Sequence, residues 1–147
     1  MDQSRIYATD INKSVLQEAR QGLISSIKYE QYAQNYRASD GRRVLSDFGE
    51  FTNENMFLHD SLLDKITFAP HNLAVDGPFH KFDMIFCRNV MIYFNQSLKD
   101  IVHELLFHSL KPGGYLTLGD KESIRFSKYA ALYNRMSEDE RVYRKIF

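Results

Sequence analysis

The sequence predicts an α/β fold built on a largely parallel sheet, and three observations carry that prediction. An apolar strand from Asp83 to Cys87 stops abruptly at the polar pair Arg88-Asn89, β-rich runs alternate with amphipathic helical patterns elsewhere, and turn chemistry separates them. In open sheets of this class ligands lie beyond the carboxyl ends of the strands. Arg88, Asn89 and Tyr93 are therefore the first candidates to face one.

Taken in order, Arg5-Ile6-Tyr7-Ala8-Thr9 reads as a strand ending at Asp10. A helix follows from about Asn12, with Val15, Leu16 and Ala19 on one face and Gly22 at its close. Ile27, Tyr29, Tyr32 and Ala33 recur at near-helical spacing over a second piece from Ile24 to Tyr36, broken by Asp40-Gly41. From about residue 42 to 61, Arg43-Val44-Leu45 and Met56-Phe57-Leu58 flank the polar stretch Ser46 to Asn55, the pattern of a small antiparallel β insertion. Lys65 to Ala69 is the next strand, and Asp76-Gly77-Pro78 supplies a turn before the buried strand at Asp83. Ser97 is the expected cap of a helix whose Ile101, Val102, Leu105, Leu106 and Leu110 form an apolar stripe, ended by Lys111-Pro112-Gly113-Gly114. A strand over Tyr115 to Gly119, a short helical segment around Tyr129 to Arg135 and a closing strand from Val142 to Ile146 complete the chain.

A length of 147 residues suits one domain. Its 19 basic and 19 acidic residues cancel, which leaves no electrostatic footprint for duplex nucleic acid or an anionic membrane. Cys87 has no second cysteine with which to form an internal disulfide. No apolar run approaches the roughly 20 residues of a membrane span, so a cytoplasmic setting without membrane insertion is expected. Within a core strand Cys87 is an inert small hydrophobe. His103 and His108 do not share a helix face and the other histidines lack zinc-type spacing, so no metal is expected. Phe79, Phe82, Phe86 and Phe94 read as core, and Tyr29, Tyr32 and Tyr36 as a helix face. Asp10 admits two readings from its position alone: a strand-end carboxylate accepting ribose hydroxyls, or an aspartate favoured near a helix start.

Five segments in this order carry a resemblance to a known family: Ala8-Thr9-Asp10-Ile11-Asn12, Glu18 to Gly22, Ile66 to Leu73, Phe82 to Phe94 and Leu110 to Leu116. Over residues 5 to 147 the chain resembles the catalytic domain of the CheR-type chemotaxis receptor methyltransferases. The resemblance implies a Rossmann-like, class I S-adenosylmethionine-dependent sheet that passes a methyl group to a glutamate on a chemoreceptor's cytoplasmic domain, leaving S-adenosylhomocysteine. It implies Asp10 as the ribose carboxylate, Asn72 and Leu73 beside the adenine, Arg88 and Asn89 near the cofactor's reactive end, and Tyr93 close to the transferable methyl. Tyr93 and Asn89 are the implied catalytic residues. It also places residues 42–61 where some members carry a small β-subdomain that binds a receptor's tail by strand addition.

The family's glycine-rich, acidic first-strand motif would precede residue 5, where only Met1-Asp2-Gln3-Ser4 stand. Its N-terminal helical domain, with the arginine that domain contributes, has no counterpart either. A truncated sheet is therefore expected, open between the strands beginning near Arg5 and near Phe82, with a second copy or a missing N-terminal segment completing it. In Gly119-Asp120-Lys121-Glu122-Ser123 the chain departs from relatives that carry histidine or serine before the glutamate, and Glu122 receives no catalytic role. The leading functional expectation is protein-glutamate O-methylation; the alternative is a catalytically silent receptor- or protein-binding module on the same fold. Nicotinamide-dependent oxidoreduction would use the same sheet but leaves the run from Arg88 to Tyr93 unexplained.

Overall fold

A short β-rich run forms the first strand, β1 (Ile6–Asp10), and the computed structural model describes residues 4–52, 54–137 and 139–147. The chain is a mixed α/β protein that divides between Asn72 and Leu73 into two units.

In the first unit α1 (Lys13–Arg20) begins at Asn12, whose side chain accepts from the Ser14 amide at 2.9 Å. Gly22 lies just beyond the helix at φ +63°, a left-handed conformation that glycine adopts without steric cost. Then come β2 (Leu23–Ser25), α2 (Ser26–Ala38), a 3₁₀ turn over Leu45–Phe48, β3 (Gly49–Phe51), β4 (Asn55–Leu58), α3 (Asp60–Leu63) and β5 (Ile66–Pro70). β1 and β5 pair in parallel from Ile6↔Ile66 to Asp10↔Pro70. β2, β4 and β3 form a separate antiparallel sheet in that order.

Several local expectations shift here. The first residues of the piece read as helical from Ile24 belong to β2, because pairing with β4 satisfies their backbone groups. Arg43-Val44-Leu45 is no strand: Val44 leads into the 3₁₀ turn, and the strand lies at Gly49–Phe51, inside the stretch read as a polar separator. Gly49 permits that pairing, since a Cβ there would collide with the Phe57 backbone. Tyr29 and Tyr36 lie on α2 with ring edges against Phe51 and Phe48, while Ala33 is the α2 residue that is buried. Val15 and Ile27, read as apolar-face residues, are exposed.

The second unit contains β6 (Phe82–Cys87), a 3₁₀ turn over Met91–Tyr93, α4 (Gln96–Ser109), β7 (Leu110–Leu118), a 3₁₀ turn over Ala130–Leu132, β8 (Tyr133–Arg135) and β9 (Val142–Lys145). Its sheet runs β6-β7-β9-β8, parallel between β6 and β7 and antiparallel thereafter. Val102 and Leu106 of α4 bury against Leu116 and Leu118 of β7 in the main core. Lys145 closes the C-terminal end of α4: its Nζ donates to the Phe107 and Leu110 carbonyls at 2.9 and 3.0 Å and sits over the Phe107 ring.

β6 is not the doubly buried strand expected. Phe86 is 70% exposed and Met84 44%, because β6 pairs with β7 alone among the described residues. Phe79 is likewise half exposed. Asn95, not Ser97, caps α4, accepting from the Leu98 amide at 2.9 Å. Strand pairing starts at Leu110 rather than Tyr115, with a register irregularity opposite Phe82–Met84 that Gly113, at φ +77°, accommodates. The segment from Tyr129 to Arg135 is only briefly helical before it becomes β8.

Candidate functional site

The parallel register of β1 and β5 brings Asp10 opposite Pro70, and the His71 amide donates to the Asp10 carbonyl at 3.1 Å. Asn72 thus follows directly on the paired strand ends in the first unit. Asp10 Oδ1 accepts from the Asn12 amide at 2.7 Å. Its Oδ2 takes no hydrogen bond from the described residues. The capping role read as one possibility for Asp10 belongs to Asn12, which leaves Asp10 shaping the turn with one carboxylate oxygen and presenting the other.

In the second unit Cys87↔Leu118 closes the parallel ladder, so the loops after β6 and β7 leave the same carboxyl edge. Arg88 reaches Asp120 at 3.4 Å across those loops. Asn89 has φ +61°, a left-handed conformation uncommon outside glycine. Tyr93 ends the following 3₁₀ turn and is 85% exposed, the reverse of the core placement that residue type suggests on its own. Leu73 packs against the core of this unit. Asp10 and Asn72 therefore share one unit, and Leu73, Arg88, Asn89 and Tyr93 share the other.

Glu122 organises the loop after β6. It is 5% exposed. Its Oε1 accepts from the Val90 and Met91 amides at 2.9 and 2.6 Å, and its Oε2 from the Asn89 and Gly119 amides at 2.8 and 2.7 Å. A buried carboxylate is costly unless it is hydrogen-bonded, and four amides meet that requirement. Gly119 is constrained in turn, since a Cβ there would strike the Asn89 side-chain oxygen and press on Glu122. The sequence assigns Glu122 no role because three of its four partners are backbone amides more than thirty positions away; a glutamate in the turn after a buried strand was the available signal.

Neighbouring reactive groups are silenced by burial. The Cys87 thiol is pushed up to about 12, first by desolvation and then by the Glu122 charge, so it is protonated and unreactive at neutral pH. Burial lowers the pKa of His103, with Asp100 and Glu122 partly opposing. Among the described residues no group of three or more His, Cys, Asp or Glu could hold a metal ion, and no helix is long and apolar enough to cross a membrane. In the first unit Asp10 presents one carboxylate oxygen at its strand end; in the second, Arg88, Asn89 and Tyr93 set a guanidinium, a side-chain amide and an exposed ring in the loop after β6.

A family model described as CheR methyltransferase, SAM binding domain, matches residues 1–140. A Pseudomonas putida protein named as a methyltransferase, Cher3, is 39% identical over 145 residues, covering 99% of this chain and 53% of that protein. The chemotaxis protein methyltransferases of Vibrio parahaemolyticus and Vibrio anguillarum are 39% and 38% identical, each over 81% of this chain and 42% of their own length. The chain spans about half the length of the curated relatives it matches.

Proposed function

The chain belongs to the CheR methyltransferase family through its SAM-binding domain, and from that premise we propose that it takes part in methyl transfer from S-adenosylmethionine to a glutamate side chain on a chemoreceptor's cytoplasmic domain. The observation that carries this reading is the ordered loop after β6, which holds Arg88 and Asn89 at a strand's carboxyl end and exposes Tyr93. The family and the relatives' names supply the reaction class.

The donor set suits the cofactor. Asp10 offers a carboxylate oxygen to a ribose diol. The Asn72 amide and the main chain at Leu73 suit an adenine edge, and Arg88 and Asn89 suit the polar methionine tail. A Tyr93 ring face attracts a sulfonium. The cofactor, when bound, supplies an electrophilic methyl group. The chain's residues need only bind and align, because a glutamate acceptor is already ionised near neutrality and requires no general base. Orientation of this kind lowers a barrier by as much as about 7–11 kcal/mol.

The finer fold reading, a Rossmann-like class I sheet, rests on the family and on the parallel pairs β1-β5 and β6-β7. A second functional reading, a silent binding module, is favoured by the small β2-β4-β3 sheet, whose β3 and β4 lie in the 42–61 region with Phe51 and Phe57 exposed.

Calorimetric titration with S-adenosylhomocysteine separates the two. Methyl transfer predicts saturable micromolar binding, near −8 kcal/mol, weakened about tenfold or more in Asp10→Ala, since removing an acceptor for two hydroxyls costs 1.4 kcal/mol or more. Tyr93→Phe should spare binding more than turnover on a receptor fragment. Binding of a receptor tail without any cofactor binding would establish the module instead.

A further inference from the structure

We propose that Glu122 is a positioning residue for the cofactor: its carboxylate clamps the turn from Asn89 to Met91 onto the end of β7 and thereby fixes Asn89 in its binding conformation. The inference rests on the cofactor reading above and extends it to a residue outside the expected site.

Four features converge. Every hydrogen bond that Glu122's side chain accepts comes from a backbone amide of the two loops at the carboxyl edge of β6 and β7. No cationic side chain pairs with it among the described residues, so the hydrogen bonds its carboxylate accepts all go to loop geometry. The first amide it holds belongs to Asn89, the residue in the left-handed region, where a non-glycine residue persists only if its surroundings enforce it. Finally, Gly119 removes the side chain that would displace the Asn89 amide group, so the same short turn both anchors the loop and leaves room for it.

A carboxylate that merely satisfied buried amides would stabilise the unit without speaking to Asn89. A double-mutant cycle on S-adenosylhomocysteine affinity distinguishes the two roles. Glu122→Gln keeps the size of the side chain but turns an amide donor toward N–H groups. It should weaken binding about tenfold or more, as loss of an orienting partner typically does. Asn89→Ala should weaken it comparably, and the double variant should bind within about twofold of the weaker single. Independent, multiplying losses, or an affinity in Glu122→Gln within about twofold of the unchanged chain, would overturn the proposal. If Glu122→Gln does not fold, Gly119→Ala keeps the glutamate but pushes both on its carboxylate and on Asn89. It should weaken binding several-fold in a folded protein, and unaltered binding there is equally decisive against the clamp. Should the unchanged chain fail to bind, the cofactor reading falls and this inference with it; should it bind and respond to Asn89→Ala but not to Glu122→Gln, only the clamp falls.

Discussion

The two units are nearly equal in length and differ sharply in how much they bury. Among the described residues Leu16, Ala33 and Met56 are the buried apolar side chains of the first, whereas eleven lie in the second, most in one continuous cluster beneath β6 and β7. Each unit carries candidate cofactor residues at a parallel strand end, but only the second surrounds them with a core and a buried carboxylate. Precision at Asn89 is thus supplied by its own unit, while the Asp10 side chain is held by a single turn bond, accepted from the Asn12 amide. Rigid placement of a binding group follows from the packing behind it.

The largest test of this contrast is a matched pair of core truncations. Leu116→Ala, at 1% exposure in β7, should cost about 3–4 kcal/mol, and Leu16→Ala, at 6% in α1, about 2–3 kcal/mol, on the range found for buried leucines. Denaturant unfolding followed by probes in each unit checks this; an equal or larger loss in Leu16→Ala would break the comparison. A smaller pair compares helix caps. Asn12→Ala and Asn95→Ala each remove a side-chain bond to a first-turn amide and should each cost about 1 kcal/mol. Amide exchange should show the Asn12→Ala effect confined to α1, where little packing spreads it, and the Asn95→Ala effect extending into β7.

Near neutral pH the smallest effect is the pH dependence, which reports on the second unit. Unfolded Cys87 ionises from about pH 9, its ordinary value, and the folded thiol only near 12. The folded state therefore holds its proton over that window, and stability should fall as pH rises above about 9. Burial raises Tyr133 in the same direction. Below pH 9 neither group contributes a slope. Alkylation of Cys87 at pH 8 should accordingly track global opening of the second unit; rapid labelling of the folded protein would contradict its burial.

Much of this was legible from residues alone. The β-rich runs at Ile66–Pro70 and Val142–Lys145 and the Val102-Leu105-Leu106-Leu110 stripe carry their periodicity locally, and Gly22 announces the end of α1. Motif order over residues 5 to 147 named the family, which the match over residues 1–140 shows. The three-residue strands β2 and β3 were missed, since strands that short have no period to read and exist only through their pairing with β4. Exposure along β6 was missed for a related reason: an apolar run does not say how many neighbours it will find.

The sequence by itself determined the alternation of helices and strands, the polar strand ends at Asp10 and Arg88-Asn89, and membership in a methyltransferase family. Only the tertiary structure decided that the loop after β6 is held by Glu122, that Asn89 adopts a left-handed conformation and that Tyr93 is exposed. Side-chain patterns encode local periodicity, but a carboxylate bonded to backbone amides more than thirty residues away reads nothing from the side chains there, and parallel pairing of β6 with β7 alone brings them together.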